Sequence, residues 1–166
     1  MTLLQKNQDQ LFARLAELNI KYEVYRHPPL HTVEQSRQYR GDIPGAHCKN
    51  LFLKDKKGAL WLLVVLEAAQ VDLKGVNKKI GAARLSFGKP DLLHQILGVT
   101  PGSVTPFAVM NDRECVVNIV LDQEMISAPL LNYHPLSNDA TILVTPEDLL
   151  RFIESCGHKP HIMNLC

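Results

Sequence analysis

The residue that most demands a chemical explanation is Lys49, in the run His47-Cys48-Lys49-Asn50-Leu51-Phe52-Leu53. The run reads as a strand, and alternation puts Lys49 on the face of Leu51 and Leu53. An ammonium there is costly to desolvate unless an anion meets it. The alternative is an edge lysine whose stem packs while its head reaches water. Further along, Thr100-Pro101-Gly102-Ser103-Val104-Thr105-Pro106 brackets a glycine with prolines. Such a loop is either a connector or a device that brings main-chain N–H groups close to a ligand, since glycine puts no side chain in the way. His134, with Thr32 and Asn50 as polar helpers, completes the set of candidates.

The chain carries no Gly-x-Ser-x-Gly elbow, phosphate-binding loop, Gly-rich dinucleotide fingerprint or His-Glu-x-x-His. Cys48 lies beside Lys49, but consecutive strand residues point to opposite faces, so a site that holds Lys49 is not expected to hold the Cys48 thiol. A site without a nucleophile can still hydrolyse an activated ester. Lysine holds a phosphate or ribose, backbone N–H groups receive the oxyanion, and water is oriented by carbonyls or by the substrate itself.

The elements that must position these residues follow from pattern. At 166 residues, 46% hydrophobic and 21% charged, the chain is expected to form one domain over 1–166 with a substantial core. Leu11, Leu15 and Leu18 share a stripe that predicts a helix over 7–18. Residues 22–26 read as a strand ended by His27-Pro28-Pro29, and Thr32 with Gln35 forms a capping box for a helix from Val33 to before Gly41. Lys54 to Gly58 reads as a charged hairpin loop leading to Leu60–Leu66, seven apolar residues that predict a strand buried on both faces. Helices are expected over 73–80 and 90–97, strands over 107–110, 115–121, 130–134 and 141–144, and a helical turn at 122–125. Thr145-Pro146-Glu147-Asp148 is a strong helix start, and the tail after His158 reads as loosely held.

Composition narrows the setting. Neither a signal-peptide layout nor an apolar run of membrane-spanning length is present, which predicts a cytoplasmic protein with no membrane partner. Four scattered cysteines suit free thiols. Cys156-x-His158-x2-His161-x4-Cys166 has ligand types but matches no common zinc module, so no metal is assigned. A net charge of +1 requires any nucleic-acid contact to use a local patch. Residues 73–90 hold Lys74, Lys78, Lys79, Arg84 and Lys89 without an acid, either as a solvated face or as phosphate contacts.

The Cys48-Lys49-Asn50-Leu51-Phe52-Leu53 strand, the Gly102-x-x-x-Pro106 loop and Tyr133-His134-Pro135-Leu136-x-Asn138, in that order, resemble the bacterial prolyl-tRNA synthetase editing-domain superfamily, with its YbaK-type and ProX-type members. The complete Lys-Asn-Leu-Phe-Leu-x-Asp block looks most like the free-standing ProXp-ala group. The resemblance implies an α/β, YbaK-like single domain with a mixed, curved central β-sheet flanked by helices. It implies hydrolysis of alanine mischarged on tRNA(Pro), without cofactor or covalent intermediate, in transient association with prolyl-tRNA synthetase and without DNA. By the same resemblance Lys49 anchors the terminal adenosine or its phosphate, the Gly102 backbone meets the aminoacyl group, and His134 lines a small pocket. Thr32, Asn50 and Pro106 help to hold substrate, and Lys78, Lys79 and Arg84 lie near the acceptor stem. Rival expectations are the same chemistry on a cysteine, serine or threonine ester, and a non-catalytic aminoacyl-tRNA-binding adaptor.

Overall fold

The computed structural model describes residues 2–29 and 43–166. Thr32 and the helix expected from Val33 lie outside them. The element order is α1 (Leu3–Glu17), β1 (Glu23–Arg26), β2 (Ala46–Asp55), β3 (Leu60–Leu66), α2 (Leu73–Ile80), β4 (Leu85–Phe87) and α3 (Pro90–Leu97). A 3-10 helix (Pro106–Asn111) follows, then β5 (Val117–Asp122), α4 (Gln123–Ile126), β6 (Leu131–Tyr133), β7 (Ala140–Val144), α5 (Pro146–Ser155) and β8 (His161–Met163).

The strands form one mixed sheet in the order β1-β7-β6-β2-β3-β5-β8, with β4 also on β2. The α/β class and the mixed sheet are as expected. The sheet is open, with β1 and β8 at its edges, so whatever curvature it has does not close it. β3 pairs antiparallel with β2 and parallel with β5, and its alternation divides the core. Leu60, Leu62 and Val64 face a large cluster with Leu11, Leu15, Phe107 and Phe152. Trp61, Leu63 and Val65 face a smaller one with Leu53, Val76 of α2, Val120 and Leu165. Both faces of β3 are therefore covered, which is why its sequence is continuously apolar.

β2 is the strand that matters for function. Along one edge it pairs with β3 from Cys48↔Leu66 to Lys54↔Leu60. Along the other, its start pairs parallel with β6 through Ala46 and His47, and its end pairs antiparallel with β4 through Leu53 to Asp55. Between these two, residues 48–52 have no strand partner on that side among the described residues.

Two expectations are corrected, and a third, the hairpin between β2 and β3, is present with an addition. Residues 107–110 are not a strand but part of the 3-10 helix, because Thr105 caps it, Pro106 takes its first position, and the Thr105 hydroxyl accepts from the Phe107 N–H at 3.4 Å. The turn points Phe107 inward, edge-to-face with Phe152 at 5.1 Å and with Tyr133 at 6.0 Å. The hairpin at 54–58 is more than a charged loop, since Asp55 is buried. Its carboxylate accepts from the N–H groups of Lys57, Ala59 and Ala83 and from the Trp61 indole. Burial pushes its pKa up, and these donors more than offset that, leaving it below the ordinary carboxylate value. Finally, the tail is held: β8 adds parallel to β5, the Leu165 N–H donates to Asp122 at 2.9 Å, and Leu165 is 1% exposed.

Leu165→Ala should therefore cost about 2–5 kcal/mol, the range for emptying a fully buried leucine site. Urea denaturation monitored by Trp61 fluorescence measures it, and a change below about 0.5 kcal/mol, typical of surface substitutions, would mean that the tail is not part of the core.

Candidate functional site

The candidate site gathers around the middle of β2, the stretch without a second strand partner among the described residues. Asn50 alternates with Cys48 and Phe52 and so lies on the large-cluster face, where its amide Nδ2–H donates to the Val104 carbonyl at 3.0 Å. That bond fastens β2 to the loop 102–106. Its other end is pinned by buried Ser103, Thr105 and Pro106, and by the Ser103 N–H donating to the Thr100 carbonyl at 3.0 Å. Gly102 is exposed at the tip, with φ +90° and nothing within 4 Å of where a Cβ would stand. A residue with a side chain would be strained there, while glycine leaves the main chain open to a ligand. Asn50 Oδ1 is buried without a partner among the described residues, an acceptor available to an N–H or O–H group.

Lys49 stands opposite Val65 and is half-buried, on the face of Leu51 and Leu53 as alternation required. No ion pair or hydrogen bond engages its ammonium among the described residues. α2 packs on that same face through Val76, and its last turn carries exposed Lys78 and Lys79, the latter donating to the Cys166 carbonyl at 2.9 Å. Cys48 is the opposite case. Burial pushes its thiol up to about 11, partly offset by the Tyr133 hydroxyl and the Asn132 backbone, so it is a packed thiol and not a nucleophile.

His134 follows β6, the strand that pairs the start of β2. Its Nδ1–H donates to the Ala140 carbonyl at 2.9 Å, which leaves Nε2 as the lone-pair nitrogen of the neutral ring. Burial disfavours the imidazolium and holds its pKa below 6.5, with the His27 ring acting in the same sense; the Ala140 carbonyl and Asp139 oppose them. His27 is the residue that pattern reading missed. It was legible only as the start of a Pro-Pro turn, yet its ring lies 6.4 Å from that of His134 and its Nε2 is 2.9 Å from the Thr141 hydroxyl.

Arg84 is placed apart from these groups. It lines an open groove of about 780 Å³ with Lys54, Lys56, Lys89 and Phe87, whose ring is largely exposed. Among the described residues no group of three or more His, Cys, Asp or Glu side chains could hold a metal ion. The structure thus brings Asn50, Gly102 and Pro106 together around one bond, while the Lys49 side chain, one residue earlier on β2, lies on the opposite face of the sheet. It sets His134 at the β6 end, and Lys78, Lys79 and Arg84 outside.

The fold is an α/β domain in which a glycine loop is tied by Asn50 to a central strand of a mixed sheet. Residues 27–152 match the aminoacyl-tRNA editing domain family. The chain is 36% identical over 149 residues to "Prolyl-tRNA editing protein ProX" of Acetoanaerobium sticklandii, covering 89% of this chain and 91% of that one. It is 38% identical over 156 residues to "Prolyl-tRNA synthetase associated domain-containing protein 1" of Bos taurus, covering 91% of each. A solved structure described as a candidate trans-editing enzyme for prolyl tRNA synthetase superposes with a TM-score of 0.69 at 20% identity, over 98% of this chain and 97% of that one. The chain belongs to the aminoacyl-tRNA editing domain family, whose chemistry is hydrolysis of the ester between an amino acid and tRNA.

Asn50→Ala should leave the Val104 carbonyl without its donor and cost about 1–3 kcal/mol. Amide hydrogen exchange at residues 102–104 should quicken while that of β3 stays unchanged, and an unchanged loop would show that the clamp does not hold it.

Proposed function

We propose that the chain is a trans-editing deacylase, one domain over residues 1–166, that hydrolyses alanine mischarged on tRNA(Pro). The observation that carries this reading is the Asn50–Val104 bond, which holds an exposed glycine main chain beside the strand bearing Lys49. The ProX relative is named for prolyl-tRNA editing, and the bovine one for association with prolyl-tRNA synthetase. Those names favour proline tRNA as the substrate and transient contact with its synthetase, in the cytoplasm. No helix among the described residues is long and apolar enough to cross a membrane.

In this mechanism Lys49 binds the terminal adenosine or its phosphate as a point charge. The Gly102 backbone meets the aminoacyl group and receives the developing oxyanion, a role that preorganised N–H donors fill well. Asn50 Oδ1 accepts from the substrate, and Pro106 and Thr32 help to hold it. The ribose 2′-OH beside the ester positions the attacking water, so the substrate supplies the polar group that the protein lacks. Neutral His134 lines the pocket with Nε2 as acceptor. Arg84, with Lys78 and Lys79, steers the acceptor stem, and the groove around exposed Phe87, where Lys54, Lys56, Arg84 and Lys89 outnumber Asp55 and Asp91, gives that stem a surface of suitable charge.

Alanine is the reasonable target on physical grounds. A missing methylene or two costs a synthetase only about 1–3 kcal/mol of discrimination, so a second and smaller pocket is needed to remove the error.

Lys49→Ala should lower deacylation of Ala-tRNA(Pro) at least about 100-fold, about 2.7 kcal/mol, with circular dichroism unchanged. Full turnover by the folded variant would refute the anchor role, and binding of the charged tRNA without turnover by the unmodified protein would establish the adaptor. Because His134 takes up its proton below pH 6.5, activity should hold from pH 8 down past 6.5 and fall only at lower pH. His134→Gln should abolish that acid limb; a limb that stays in place assigns it to another group.

A further inference from the structure

A second cluster of reactive side chains lies at the turn between the 3-10 helix and β5, and none of its contacts involves the residues of the editing site. The His158 Nε2 is 2.9 Å from Asp112 Oδ2, and both side chains are 3% exposed. Asp112 also accepts from the N–H groups of Val116 at 3.1 Å and Val117 at 2.9 Å. An ionised carboxylate only accepts, so the ring carries its proton on Nε2 and presents the Nδ1 lone pair when neutral. That nitrogen lies 3.7 Å from the Cys115 sulfur. We propose that Cys115, His158 and Asp112 form a base-assisted thiol, a modification site at which small hydroperoxides oxidise Cys115 to a sulfenic acid.

Three features support a reactive thiol over a packed one. Cys115 is exposed, unlike the deeply set Cys48. Its φ of +54° is a conformation that residues with side chains seldom take, and here the sulfur lies within 3.7 Å of the imidazole Nδ1. The neighbour on the open side is Gly157, where a Cβ would stand only 3.4 Å from the sulfur; its absence leaves an approach for a small molecule. The Cys156 carbonyl, 3.8 Å from the sulfur, is a second acceptor for the thiol proton, but only the imidazole can remove it. The arrangement matches the logic by which a thiol is activated for nucleophilic chemistry: a base within reach and a third group orienting the base. With no closed cleft over the sulfur, a small electrophile is the fitting reactant.

The step balances as follows. The thiol proton passes to His158 Nδ1. The thiolate attacks the outer oxygen of the hydroperoxide ROOH, an S–O bond forms and the O–O bond breaks. The departing RO⁻ takes the proton from His158, giving Cys115 sulfenic acid and ROH. Sulfur gives up two electrons and the peroxide gains them.

The test treats the full chain with low hydrogen peroxide in the presence of dimedone and reads each cysteine peptide by mass spectrometry. Cys166, an exposed thiol at the chain end, is the internal reference. Cys115 should be trapped at least tenfold faster than Cys166, and His158→Gln should bring it to within twofold. Equal trapping of Cys115 and Cys166 in the unmodified protein overturns the proposal, as does a folded His158→Gln variant with the fast rate intact. Should that variant fail to fold, the ratio of the two thiols in the unmodified protein decides.

Discussion

A strand inside a sheet normally spends the hydrogen bonds of both edges on neighbours. β2 uses one edge on β3, while on the other, among the described residues, β6 and β4 take only its two ends. The middle of the strand, with Lys49 and Asn50, is therefore available to loops and ligands. Asn50 in that stretch donates to the Val104 carbonyl and so ties the loop that carries Gly102 to β2. The core supports this arrangement from both faces, since β3 divides its side chains between two apolar clusters and fixes the depth of β2.

Electrostatics then separates the roles. The buried histidine beside β6 is kept neutral at physiological pH, and the thiol next to Lys49 is kept protonated by burial. Along α2 and β4 the exposed lysines and Arg84 outnumber Asp72 and Asp91, which leaves that surface basic. Such a surface has the charge that suits contact with a polyanion.

Much of this was legible in the chain because it is local. Thr145-Pro146 starts a helix through its own cap and fixed φ, and the seven apolar residues of β3 can only be covered twice. What stayed hidden depends on distant partners. Thr105-Pro106 is the same start signal as Thr145-Pro146, but it also closes the glycine loop, and that second role masked the helix after it. Asp55 and Asp112 look like solvated loop acids, yet each is buried because backbone N–H groups from its own turn satisfy it. β8 pairs with a strand some forty residues upstream, which its three residues give no sign of. The clamp itself needed the fold, since no spacing rule links Asn50 to Val104.

The most direct test of the central claim is deacylation of Ala-tRNA(Pro) beside Pro-, Cys- and Ser-tRNA(Pro), at equal low enzyme and with a chelator present. The account predicts rapid loss of alanine alone, at a rate the chelator does not alter. Hydrolysis of Pro-tRNA(Pro) at a comparable rate would contradict a pocket that selects by size, and stable esters throughout would contradict the editing function itself.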